Sequence, residues 1–249
     1  MPFDPHLSAV MKKPLVLLVA LALPLLWACD DGRIYSSSTT SREGLVVVLT
    51  GTIEGLDNWP SKYTIALAGF DEETAEIGEY SALTKAVSAA DDGSLSVTLS
   101  GVTEDIRIVE LCLLDRLRRR VVTFATLDMS ETADTMYFDV GDQDVSMLNA
   151  IQQSVFNTTC SNCHGASTSA AAGLDLTEGN SYASLVSQTS YKDSTMLRVD
   201  PYSSESSVLY LVLTSDLTSS WLYDHSSEVT ESTLLTLIGD WIDTGAPQD

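Results

Sequence analysis

The chain has 249 residues, 35 Asp/Glu against 13 Lys/Arg and a net charge of −22. That length allows two modest cores. Such a charge argues against nucleic acid or an anionic lipid surface as a partner, and leaves a positively charged protein partner or simple solubility as its use.

In chain order, Met11-Lys12-Lys13-Pro14 precedes the apolar run Leu15–Leu26, which is too short for a confident spanning helix. The run ends in Leu26-Trp27-Ala28-Cys29, which resembles a bacterial lipobox. This predicts a signal peptide over residues 1–28, with Met11 a candidate start, and a diacylglyceryl anchor on Cys29. An ordinary secretory signal with a free Cys is the alternative. Residues 29–42 read as the lipidated Cys and a linker, polar over Ser36–Ser41. The predicted location is a bacterial cell envelope, periplasmic or at the cell surface, with the membrane reached through lipid. The chain from Cys29 would carry a net charge of −23.

Residues 43–143 read as an all-β antiparallel sandwich. Gly44–Ile53, Tyr63–Phe70, Ser94–Leu99, Ile106–Leu114, Arg120–Thr126 and Thr135–Val140 are strand-like, and Asp91-Asp92-Gly93 is a turn signal. Ser81–Val87 fits helix or strand. Cys112, inside an apolar run, reads as a buried inert thiol. Arg116, Arg118, Arg119 and Arg120 read as a turn or solvent face, with an anion site as the alternative. Trp59 and Tyr63 read as core aromatics, or less readily as a glycan-stacking face. No nucleophile–base pair or phosphate loop is visible, so this part reads as a scaffold or docking module.

Residues 144–249 read as helical. Met147, Ile151, Val155 and Phe156 share one helical face. That helix runs into Cys160-Ser161-Asn162-Cys163-His164. Two thiols at this spacing suit thioether bonds to the vinyl groups of one haem c, and the adjacent His suits the proximal iron position. A redox dithiol or half a zinc site shares the spacing, but four Cys and three His in the whole chain give little to complete a zinc site. Glu231–Ile242 forms a second amphipathic segment, with Thr230 a candidate N-cap and Leu234, Leu237, Ile238, Trp241 and Ile242 its buried face. Thr244-Gly245-Ala246-Pro247 stops it.

The segment Val155–Ala246 resembles the class I-like cytochrome c domains of exported bacterial proteins. The pieces that carry the resemblance are Phe156 through Cys160–Gly165, Gly173–Leu176, Tyr182–Val186, Arg198–Pro201, Ser207–Tyr210 and Trp241–Ala246. It implies an all-α haem domain after the sandwich and one covalent haem. Such domains carry a distal Met in a Met-Pro pair before the closing helix. Here that stretch reads Trp221–Val229 with neither residue, and His225 lies near the expected place. His225 is therefore the candidate distal ligand, Met196 the alternative, and upstream Met147 a poor one. An open distal site is the remaining possibility.

Six-coordinate iron suits one-electron transfer to a redox partner protein, and His/His ligation predicts a lower potential than His/Met. Residues 145–249 hold 12 Asp/Glu and 2 Lys/Arg, which favours the oxidised centre. The expectation is a lipid-anchored monohaem electron carrier, with no catalytic residue, rather than an enzyme. An open-site haem sensor or peroxidase-like enzyme, and a glycan-binding surface lipoprotein with an accessory haem domain, are the alternatives.

Overall fold

The computed structural model describes residues 44–249 apart from 72, 74, 132, 166–169 and 216–222. The predicted signal peptide, Cys29 and the predicted linker lie outside the described residues.

Strand β1 (Leu45–Glu54) is rich in β-branched residues and forms the middle of a three-stranded sheet. It pairs antiparallel with β4 (Ser94–Val102), whose Leu95, Val97 and Leu99 are buried while the residues between them are exposed. On its other edge β1 runs parallel to β7 (Thr135–Asp144), which corrects the purely antiparallel expectation. A second sheet has the order β3 (Leu83–Ala86), β2 (Thr64–Phe70), β5 (Ile108–Leu114), β6 (Arg120–Asp128), all antiparallel. The ambiguous segment 81–87 thus resolves as a strand. Val47 and Leu49 of β1, Val97 and Leu99 of β4, and Leu67, Leu111 and Leu113 of the second sheet join one apolar core.

Strand β5 is buried on both faces, which explains its unbroken apolar run. Its outward side packs Ala66, Ala68, Phe70, Ile108, Cys112 and Leu114 into a second small cluster. Glu110 sits in that layer with no exposure, ion-paired to the equally buried Arg120 at 2.8 Å. Thr123 donates to Glu110 at 3.0 Å, and the Arg120 guanidinium lies 3.7 Å from the Phe70 ring centre and reaches Glu79 at 2.8 Å. Burial pushes the Glu110 carboxyl above its ordinary value, against the pull of Arg120. Cys112 is fully buried and burial pushes its thiol up, as suits an inert residue.

The chain passes from sheet to helix at Gly55 and Ser146. Val145 N–H donates to Glu54 C=O at 2.9 Å, and a Cβ on Gly55 would lie 2.4 Å from the Ser146 nitrogen. Ser146 caps helix α1 (Met147–Ile151) by accepting from Asn149 N–H. The predicted face is buried, but the helix is not continuous. Residues Gln152–Phe156 open into a π-turn closed by Asn157 N–H on Gln152 C=O. Ser154 and Thr158 bond back to the carbonyls four residues earlier, a pattern that bends helices.

After it come α2 (Ser181–Leu185), α3 (Val208–Thr214) and α4 (Ser232–Asp243), joined by 3₁₀ turns and isolated bridges. Helix α4 buries Leu234, Leu237, Ile238, Trp241 and Ile242 as the pattern predicts, and starts at Ser232 after Glu231, so Thr230 is not its cap. Trp241 donates to Pro247 C=O at 2.8 Å. These helices and the strands share one hydrophobic core, and residues 44–249 form one compact unit.

The architecture overturns the predicted fold class. The described residues are mainly β, and among them only four short α-helices occur, so an all-α cytochrome c-like domain does not follow an antiparallel sandwich. The helical pattern was real in α1 and α4. Between them, runs of Ser, Thr and Gly break the chain into turns instead of the long packed helices of that family.

Candidate functional site

The site forms where the turn after α1 meets α3 and the segment before α4. The π-turn ends in a 3₁₀ turn, Cys160–Asn162, in which His164 N–H and Cys163 N–H both donate to Cys160 C=O, at 2.9 and 3.2 Å. This tight turn brings Cys160, Cys163 and His164 to one wall of a cavity of about 430 Å³. Leu176 N–H donates to His164 C=O at 2.7 Å, and buried Gln152 donates to Leu176 C=O at 2.9 Å, so the turn is braced against the end of α1. An apolar part of the lining comes from α3 through Val208, Leu209, Val212 and Leu213.

His164 Nδ1 lies 2.9 Å from Ala171 C=O. A carbonyl only accepts, so Nδ1 carries the hydrogen and Nε2 keeps its lone pair, the tautomer that ligates a metal. Burial holds this imidazole below its ordinary value and favours the neutral form. Arg198 locks the same loop by donating to Ala172 C=O at 3.1 Å and to Ser184 C=O at 2.8 Å.

His225 lines the cavity facing His164. The two ring centres are 6.2 Å apart and the planes differ by 22°. The two rings are stacked, near parallel, across the cavity. His225 Nδ1 is buried with no hydrogen-bond partner among the described residues. Its backbone is set by an Asp224 turn, in which Ser226 N–H donates to the carboxylate at 2.9 Å, and by Glu228 N–H on His225 C=O at 3.1 Å. Tyr223 packs edge-on to the ring at 4.8 Å and donates to Glu228.

Met196 does not line the cavity. It sits half-buried in a turn, its C=O accepting from Ser190 N–H at 2.9 Å. Met147 is in the core beside Thr244. Of the three distal candidates, the structure brings only His225 to His164.

The thiols fit covalent attachment better than redox exchange. Both are free, and burial pushes Cys160 up to about 11, whereas exchange-active Cys-x-x-Cys thiols are shifted down. Among the described residues, no group of three or more His, Cys, Asp or Glu is placed to hold a bare metal ion. A zinc site therefore lacks ligands. A haem brings four equatorial nitrogens of its own and asks the protein for two axial groups.

Sequence reasoning missed Arg198 as a loop lock and Tyr223 and Glu228 as the support of His225. It also missed the Glu110–Arg120 pair, although a lone Glu inside Ile108–Leu114 was the visible signal. Trp59 and Tyr63 serve as braces: Trp59 donates to Val145 C=O at 2.9 Å, and Tyr63 donates to Asp240 of α4 at 2.7 Å.

Compared with known proteins, the chain matches no family model, no curated protein and no solved structure. The resemblance to class I-like cytochrome c domains is therefore not sustained. No family model supports it, and among the described residues the helical domain it requires is absent. Among the described residues, no helix is long and apolar enough to cross a membrane.

Proposed function

We propose that this chain is a monohaem electron carrier, lipid-anchored at the cell envelope through Cys29. Cys160 and Cys163 would hold one haem c by thioether bonds, His164 would be the proximal ligand and His225 the distal one. The haem would supply one-electron Fe(III)/Fe(II) exchange with a redox partner protein.

The observation that supports this most is the facing pair His164 and His225, 6.2 Å apart across an apolar cavity edged by two thiols. The rest of the chain then has defined work. Ala171 C=O fixes the His164 tautomer, Arg198 fixes the loop carrying that carbonyl, and α3 keeps water from one face of the cavity. Two fixed imidazoles make a site that rearranges little on electron transfer. The acidity of residues 145–249 favours the more positive, oxidised state.

The test is absorption spectroscopy of protein made with c-type maturation, oxidised and reduced. Covalent, low-spin haem in both states is expected. Absence of covalent haem rejects the reading, and a high-spin centre that binds cyanide rejects the distal role of His225.

A further inference from the structure

A second cavity, of about 240 Å³, lies on the outer side of the four-stranded sheet, beneath the β5–β6 hairpin. Its floor is made by Thr64 and Ala66 of β2 and Thr84 and Ala86 of β3, small side chains on one face of adjoining strands. Its walls are Ser61, Lys62, Asp115, Arg116 and Arg118. The other end of this face is closed by the segment carrying Glu79, whose C=O accepts from Arg120 N–H at 2.7 Å.

The charges at this cavity run against the rest of the chain. Lys62 has Asp240 at 2.7 Å, and Arg119 has Asp115 at 2.7 Å. The Asp115 carboxylate also accepts from the Leu117 and Arg119 amides, which leaves it little to offer further. Arg116 and Arg118 make no ion pair among the described residues.

Arg118 also occupies a position that disfavours it. The hairpin closes by Arg118 N–H on Asp115 C=O at 2.9 Å and places Arg118 at φ = +62°. A three-residue hairpin of this type favours glycine there, and a larger residue costs stability.

We propose that this cavity binds a small multivalent oxyanion, a polycarboxylate or phosphate, clamped by Arg116 and Arg118 with hydroxyls of Ser61, Thr64 and Thr84 beneath. Guanidinium forks match the paired oxygens of such groups. The small floor residues leave room for the anion above this face of the sheet. This site is independent of the haem reading.

Titration calorimetry of the full chain with citrate and with inorganic phosphate, at low ionic strength, tests it. Saturable one-to-one binding of at least one of them is expected. R116Q/R118Q should weaken it tenfold or more, and A86F should block it by filling the floor while leaving the charges alone. R118G should weaken binding and raise Tm by about 2–4 °C, because glycine relieves the left-handed backbone. Failure of both anions to saturate, or binding unchanged in both R116Q/R118Q and A86F, overturns the proposal.

Discussion

The β region and the region after Ser146 reach stability by different means. In the first, strands of four to ten residues satisfy their backbone through ladders, and the cores on both sides of β5 leave its residues fully buried. In the second, three of the four helices among the described residues have five to seven residues, below the length at which a helix is stable by itself. Side chains bonded to backbone (Ser146, Gln152, Arg198, Asp224) take the place of ladders there. The result is a frame of short turns around a large cavity, anchored on a self-sufficient sheet. A fold of that kind gains most from whatever fills its cavity.

The sharpest way to break the contrast is to remove the attachment points. On the proposed reading, C160A/C163A is expected to abolish covalent haem completely. By hydrogen exchange, amides in 147–165 and 170–214 should lose protection while β1, β4 and β5 keep theirs. Equal loss in both regions would show that the sheet depends on the cavity as well.

Next in size is an attack on the sheet. R120M leaves Glu110 buried without its cation, and breaking one side of such a pair costs about 3–5 kcal/mol. Glu110 is already held above its ordinary value, so the folded state grips its proton more tightly than the unfolded chain. The stability this carboxyl contributes is full below its ordinary value and is lost as pH rises through the raised folded value. Removing Arg120 raises the folded value further, so the penalty of R120M should grow with pH. Urea melts of both proteins at pH 5 and pH 8 check this; a constant gap would mean that Glu110 does not titrate differently in the two proteins.

These two regions were also unequally legible in sequence. Alternation in Ser94–Val102 and the turn Asp91–Gly93 gave β4 and its entry directly, because a half-buried strand writes its period into the chain. The parallel pairing of β1 with β7 left no such mark, since partner choice is decided by tertiary packing. In the second region, the buried stripe of α4 was readable. The break of α1 into a π-turn was not, because apolar spacing at 147, 151, 155 and 156 is the same for a continuous helix. Reading that stripe as one long helix is what suggested an all-α domain. His225 was singled out only because the cytochrome c resemblance expects a ligand in that stretch, and its support by Tyr223 and Glu228 needed three dimensions.

A smaller effect separates the two distal candidates. H225A should convert low-spin haem to a high-spin centre open to cyanide, with attachment intact, whereas M196A should leave the spectrum unchanged. A reversal of the two would place Met196 on the iron and require the turn at Ser190–Met196 to open.

The smallest predicted effect probes the joint between the regions. S146A removes the cap of α1 while leaving the Val145–Glu54 bond, and loss of such a cap costs about 1 kcal/mol. The Asp144 carboxylate accepts from Ser146 N–H at 2.7 Å, which the variant keeps, so the chain should still enter α1 in the same direction. If the short helices lean on the sheet as the packing of Met147 and Ile151 into the common core implies, the loss will appear in the global urea midpoint. If instead exchange rises only over Met147–Phe156 and the midpoint stays fixed, the region around the cavity opens independently, and the sheet is its platform without being its partner in folding.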